Sequence, residues 1–185
     1  MTQNVKLSRN FRYDERMSTS EHNPILTPEH TQNAETATRV LRQFRIVFNA
    51  VKSHFRQVEK SAGIGGAQVW ALSAIQASPG IGTNDLARAM DVHQSTASNL
   101  VKTLMQNKLV EIIKAEKDKR AICLHITAAG SVVLANAPAP FSGVLPNALA
   151  NIPLETLQSL ERDLQELIVA LDADESSAKT PLANL

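Results

Sequence analysis

The sequence predicts a mainly α-helical fold with one small β-hairpin: a winged helix-turn-helix carried by a helical dimer. Three observations predict it. Two short helical patterns, residues 83–90 and 94–107, are separated only by Asp91-Val92-His93. Directly after Lys108 the apolar period falls from 3.6 to about two, the change from helix to strand. Long apolar stripes flank this block on both sides, over residues 34–60 and 154–171.

Residues 1–32 show no sustained period and read as a flexible N-terminal extension. The first helix, 34–60, carries Ala37, Val40, Leu41, Phe44, Val47, Phe48, Val51, Phe55 and Val58 at steps of three and four, one apolar stripe. Ser61 to Gly66 breaks it. A phosphate-cradling loop would need a strand before these glycines, and a helix precedes them, so a helix break is the better reading. A second helix covers 67–77 with the only tryptophan, Trp70, and Ser78-Pro79-Gly80 stops it.

Thr83 is the expected cap of the third helix, with Leu86, Ala87 and Met90 facing inward. The fourth puts Ala97, Leu100, Val101 and Leu104 on its inner side. Strands at 109–113 and 121–126 frame a charged tip, Lys114 to Arg120. Another helix starts at Ala128 and is interrupted by Pro138 and Pro140, and the helix resumes over 141–150. Pro153 is expected at the first position of the last long helix. There Leu154, Leu157, Leu160, Leu164, Leu167, Ile168 and Leu171 form a narrow seam. From Asp172 the chain is polar and expected to fray. The domains expected are therefore a helical dimerisation region (33–66 and 128–172), a winged helix-turn-helix lobe (67–127) and a flexible tail (173–185).

Composition is that of a soluble globular protein, 43% hydrophobic and 20% charged. No apolar run suggests a membrane span, no secretory signal opens the chain, and a single cysteine, Cys123, excludes an intrachain disulfide framework. A cytoplasmic protein is expected. The net charge of +1 conceals an asymmetry. Over 1–130 seventeen Lys and Arg stand against eleven Asp and Glu, while over 131–185 two stand against seven. Only one part of the molecule is suited to a polyanion.

A helix that enters the major groove needs one apolar side against its scaffold and an opposite side of short donors and acceptors. Gln94, Ser95, Ser98, Asn99 and Lys102 form that opposite side. Gln and Asn can bond adenine bidentately, and Thr96 is placed to cap the helix or bond a phosphate. An amphipathic helix with a merely solvated face is the competing reading. The hairpin that follows weighs against it. Its Lys117 and Lys119 suit phosphates, and Arg120 suits a narrow minor groove, with Asp118 orienting it.

These residues resemble the MarR (multiple antibiotic resistance regulator) family of transcription regulators over roughly 34–171. The resemblance rests on Leu86-Ala87-Arg88-Ala89-Met90-Asp91-Val92, Ser95-Thr96-Ala97-Ser98 and Asn107-Lys108-Leu109-Val110. Its most specific part is Asp118-Lys119-Arg120-Ala121 followed by Leu124-His125-Ile126-Thr127-Ala128-Ala129-Gly130. It implies a homodimer with interlocked terminal helices, two winged lobes on a pseudo-palindromic double-stranded DNA operator, and a small-ligand pocket between the dimer helices and the lobe. The sequence departs from the family at Lys108, where Gly is usual and Asn107 is expected to take the left-handed turn instead. It departs again at His93, where a Ser, Thr or Asp cap is usual.

No histidine pair at i, i+3 or i+4 suggests a metal, no cofactor motif is present, and no nucleophile–base pair suggests an enzyme. Cys123 is expected as a buried structural thiol. Arg45, His54 and Trp70 are the candidate ligand residues, suited to a small aromatic carboxylate, although a tryptophan such as Trp70 is more often plain core and His54 serves equally as a satisfied histidine. The expected function is a repressor released from its operator by a small ligand. The alternative is a winged-helix protein-interaction module without specific DNA binding.

Overall fold

A computed structural model describes residues 28–114 and 122–184. The elements are α1 (Pro28–Ala62), α2 (Gly66–Ala77), α3 (Thr83–Ala89), α4 (Gln94–Gln106), β1 (Val110–Lys114), β2 (Ile122–Ile126), α5 (Ala128–Asn136), α6 (Val144–Ala150) and α7 (Leu154–Ala170). Two 3₁₀ turns follow, Glu175–Lys179 and Leu182–Asn184. The chain divides into two units, residues 1–39 and 40–185. In the first, α1 starts six residues before the expected Ala34. The Thr36 and Thr38 hydroxyls donate to the carbonyls of Gln32 and Ala34 at 2.9 Å, and Pro28, which has no N–H to leave unpaired, suits a helix start.

The core of the second unit lies among α2, α3, α4 and the hairpin. Leu72, Ile75, Leu86, Met90, Leu104 and Leu124 are fully buried there, and Val58 of α1 joins them. All the inward residues expected on α3 and α4 are buried. The hairpin pairs Val110 with Ile126 and Ile112 with Leu124. A third strand is reduced to one residue: Ile81 bridges Leu124, whose N–H donates to the Ile81 carbonyl at 3.1 Å. A single bridging residue has no period, so the sequence could not announce it.

Several local expectations change. Gly82, not Thr83, is the N-cap of α3, and no side chain caps that helix. The left-handed residue after α4 is Lys108 (φ 58°), while Asn107 stays at φ −82°. The reason lies in the closing bonds of the helix. Leu109 N–H returns to Leu104 and Lys108 N–H to Met105, both at 2.9 Å, and this pattern requires the penultimate residue to be left-handed. Residues 141–143 do not join the helix that resumes after the prolines; it begins at Val144 behind Gly143 (φ 105°). Pro153 caps α7 from outside, because its ψ of 143° is extended. Residues 174–184, expected to fray, carry the two 3₁₀ turns, and Pro181 is buried. Cys123 is half-buried rather than buried, since it faces Ile113 on the more open side of the hairpin. Gly63 (φ 74°) ends α1, as the helix-break reading requires.

Candidate nucleic-acid interface

Helix α4 is held by its apolar side, where Ala97, Leu100, Val101 and Leu104 are buried. That fixes which residues face out. Gln94, Ser95, Asn99 and Lys102 are exposed, and Thr96 and Ser98 are half-exposed. Ser98 and Lys102 also line a shallow depression with Met105 and Ile112, where the helix meets β1. His93 is the N-cap but caps with no side-chain bond. Among the described residues Thr96 does not cap either, and no side chain is bonded to the first N–H groups of α4. Free N–H groups and the positive end of the helix dipole attract an anion.

The base of the wing is fixed by Thr127. Its hydroxyl donates to the Lys108 carbonyl at 2.8 Å and accepts from Gly130 N–H at 3.0 Å, capping α5. Its own N–H donates to the Leu109 carbonyl at 3.0 Å. Gly130 sits against that same carbonyl so closely that a Cβ would overlap it. The Thr-Ala-Ala-Gly stretch therefore ties the end of α4, the end of β2 and the start of α5 together, which sets where the hairpin points. Lys117, Asp118, Lys119 and Arg120, the expected wing tip, lie outside the described residues.

The expected ligand residues do not converge. Trp70 is half-buried and lines a cavity of about 180 Å³ together with Phe55, Met90, Val92 and Phe141. His54, next to Phe55 in sequence, is buried, but its Nε2–H donates to the Pro140 carbonyl at 3.0 Å and its ring meets Phe55 edge-on, so it is a satisfied histidine. Arg45 is exposed and is not among the lining residues. Two contributors were missed in the sequence. The Asp91–Val92 turn lines the cavity, and so do Ala178 and Thr180 to Ala183; the pair Pro181-Leu182 was the only signal, too short for any period. Among the described residues no group of three or more His, Cys, Asp or Glu could hold a metal, and no helix is long and apolar enough to cross a membrane.

The MarR family model matches residues 62–121, about a third of the chain, from the end of α1 to the wing. The matched segment holds all of α2, α3, α4 and β1, so the match includes the whole outward row of α4. No curated protein matches the chain. Among solved structures, the chain is similar to S. aureus MepR in a DNA complex, at 20% identity and TM-score 0.49, covering 70% of this chain and 96% of that one. It is similar to S. pneumoniae FabT in complex with DNA, at 15% identity and TM-score 0.45, covering 74% and 97%. A multiple antibiotic-resistance repressor from Listeria monocytogenes is 19% identical with TM-score 0.45, covering 75% and 96%.

Proposed function

We propose that this chain is a DNA-binding transcription regulator that reads the major groove with α4 and the flanking minor groove with its wing. The observation that carries the reading is the outward row Gln94, Ser95, Asn99 and Lys102 on a helix whose other side is locked into the core. A base-reading helix must present its side chains in a fixed orientation, because bidentate bonds to base edges are sensitive to position. The match to the MarR family model supports the same reading, and MepR and FabT are both seen with DNA.

The regulator works as a homodimer. Exposed apolar residues on α1 (Leu41, Val47, Phe48) and on α7 (Leu160, Leu167, Ile168) support this, since patches of that extent mark association surfaces. Two copies would place two α4 helices on a pseudo-palindromic operator. Repression controlled by a small molecule completes the proposal. The Trp70 cavity is its binding place, and a ligand there shifts the population of lobe positions that fit DNA. Its lining is mostly apolar, with Asp91 its only charged residue. A neutral, largely apolar ligand suits it better than the aromatic carboxylate expected from the sequence.

Exposed Met105, Ile112 and Ile113 at the wing base favour the second reading, a protein-interaction surface. Fluorescence anisotropy on DNA from the region upstream of the chain's own coding sequence separates the two. Asn99→Ala should lose about 1–3 kcal/mol of specific binding with little change in non-specific binding. Lys119→Ala should weaken binding to all sequences and lower the salt slope by about one. Arg120→Ala should cost most where the flanking minor groove is narrow and A·T-rich. Equal affinity of wild type and all three variants for every duplex would favour the interaction module.

A further inference from the structure

The Trp70 cavity is roofed by the chain itself. Ala178 and Thr180 to Ala183 supply its outer wall, with Phe55, Trp70 and the Asp91–Val92 turn lining the rest. Residues 171–180 are exposed, yet Pro181 is buried and Leu182 and Ala183 are half-buried. Ala183 packs against the lobe core, close to Gly66, where α2 has no side chain to obstruct it.

The segment is also internally fixed. The Asp174 carboxylate accepts from the Ser176 N–H at 2.9 Å and its hydroxyl at 2.7 Å, and Ser177 Oγ donates to the Asp174 carbonyl at 2.8 Å. Asn184 N–H donates to Pro181 at 2.9 Å. Within the first of these turns the chain reaches the start of α4, where His93 Nε2–H donates to the Ser176 carbonyl at 3.3 Å. His93 is the N-cap of that helix. Asp172, Asp174 and Glu175 thus lie within four residues in sequence of the contact with the end of α4 that would receive a phosphate.

We infer that residues 174–184 form an autoinhibitory strap: Pro181–Ala183 occupy the mouth of the Trp70 cavity while Ser176 holds the N-cap of α4. The strap puts carboxylates near a helix N-terminus suited to phosphate, so its release raises DNA affinity. A small apolar molecule entering the cavity has to displace Pro181–Ala183, so the strap competes with it for one space. The docking half stands on the cavity alone. The effect on DNA rests on the regulator reading above.

Trp70 is the only tryptophan, so its emission reports the docking directly. In the full chain, Leu182→Asp should move Trp70 emission to longer wavelength, as water reaches the indole. A synthetic peptide of residues 174–184, added in trans to that variant, should reverse the shift. The variant should also bind upstream duplex DNA about fivefold more tightly or better, the lower end of ordinary allosteric coupling. The added negative charge by itself would act in the opposite direction. Deleting residues 174–185 should reproduce both effects, and either variant suffices if the other does not fold. Unchanged Trp70 emission in a folded variant, with no response to the peptide, overturns the strap. A red shift reversed by the peptide with unchanged or weaker DNA binding overturns the autoinhibition alone. If wild type and variant both fail to bind DNA, the regulator reading and the autoinhibition fall together, while the emission result still decides the docking.

Discussion

Helices α4 and α7 look alike as sequence and differ as structure. Both have an apolar side and a polar side at helical spacing. In α4 the apolar side is consumed within the chain, with Leu104 fully buried. In α7 no residue is buried, and Leu160 and Leu167 each remain 38% exposed. An apolar stripe therefore says only that a helix needs covering. Whether the cover is intramolecular depends on what the fold brings to it. For α4 it is α2, α3 and the hairpin; for α7, and for the Leu41–Phe48 stretch of α1, the proposed cover is a second copy.

Paired substitutions test that contrast. Leu104→Ala should cost about 2–5 kcal/mol, because it opens a cavity in a closed core. Chemical denaturation of the isolated variant would show the loss as a lower midpoint with an unchanged slope. Leu160→Glu should leave helix content and lobe folding intact and instead shift the protein from dimer to monomer in micromolar sedimentation experiments. If Leu160→Glu unfolded the lobe, or if wild type sedimented as a monomer, the two helices would not differ in the way described.

A smaller effect belongs to Gly130. Gly130→Ala should destabilise by about 1–3 kcal/mol, since the methyl group overlaps the Leu109 carbonyl and the tie between α4, β2 and α5 must shift. DNA affinity should fall further than stability predicts, because the wing is aimed by that tie. Smaller still, and opposite in sign, is Lys108→Gly. Lys108 sits at φ 58°, where an L side chain is strained. Glycine should stabilise by about 0.5–1 kcal/mol, the strain relief being partly offset by a more flexible unfolded chain. A rise in the denaturation midpoint checks it. A fall would mean that the Lys108 side chain contributes more than its backbone costs.

The parts of the fold legible in the sequence were those where a period and a punctuation agree. Helix α2 is bounded by Gly65-Gly66 and Ser78-Pro79, and α4 follows a three-residue turn, so both were found to within a residue. The outward row of α4 was legible because four buried residues leave only one side free. What could not be read depends on distant partners. The Ile81 bridge exists because Leu124 lies beside it. The left-handed turn fell on Lys108, although Asn107 is the residue type that tolerates it, because hydrogen-bond closure at Leu104 and Met105 fixes the position. Residues 174–184 read as a polar tail because their few apolar residues, Ala178 and Pro181 to Ala183, carry no period, and nothing local says that a cavity awaits them. Arg45 suits a carboxylate by residue type alone, and it is exposed and does not line the Trp70 cavity.

The central claim is that the outward row of α4 reads bases. The most direct measurement is the affinity of wild type and Ser95→Ala for an upstream duplex and for a scrambled duplex of equal composition, at matched salt. The account predicts that wild type prefers the upstream duplex by about 10³-fold or more. It also predicts that Ser95→Ala loses about 1–3 kcal/mol on that duplex while scarcely changing on the scrambled one. Equal affinity of wild type for both duplexes, or equal losses on both in the variant, would contradict it.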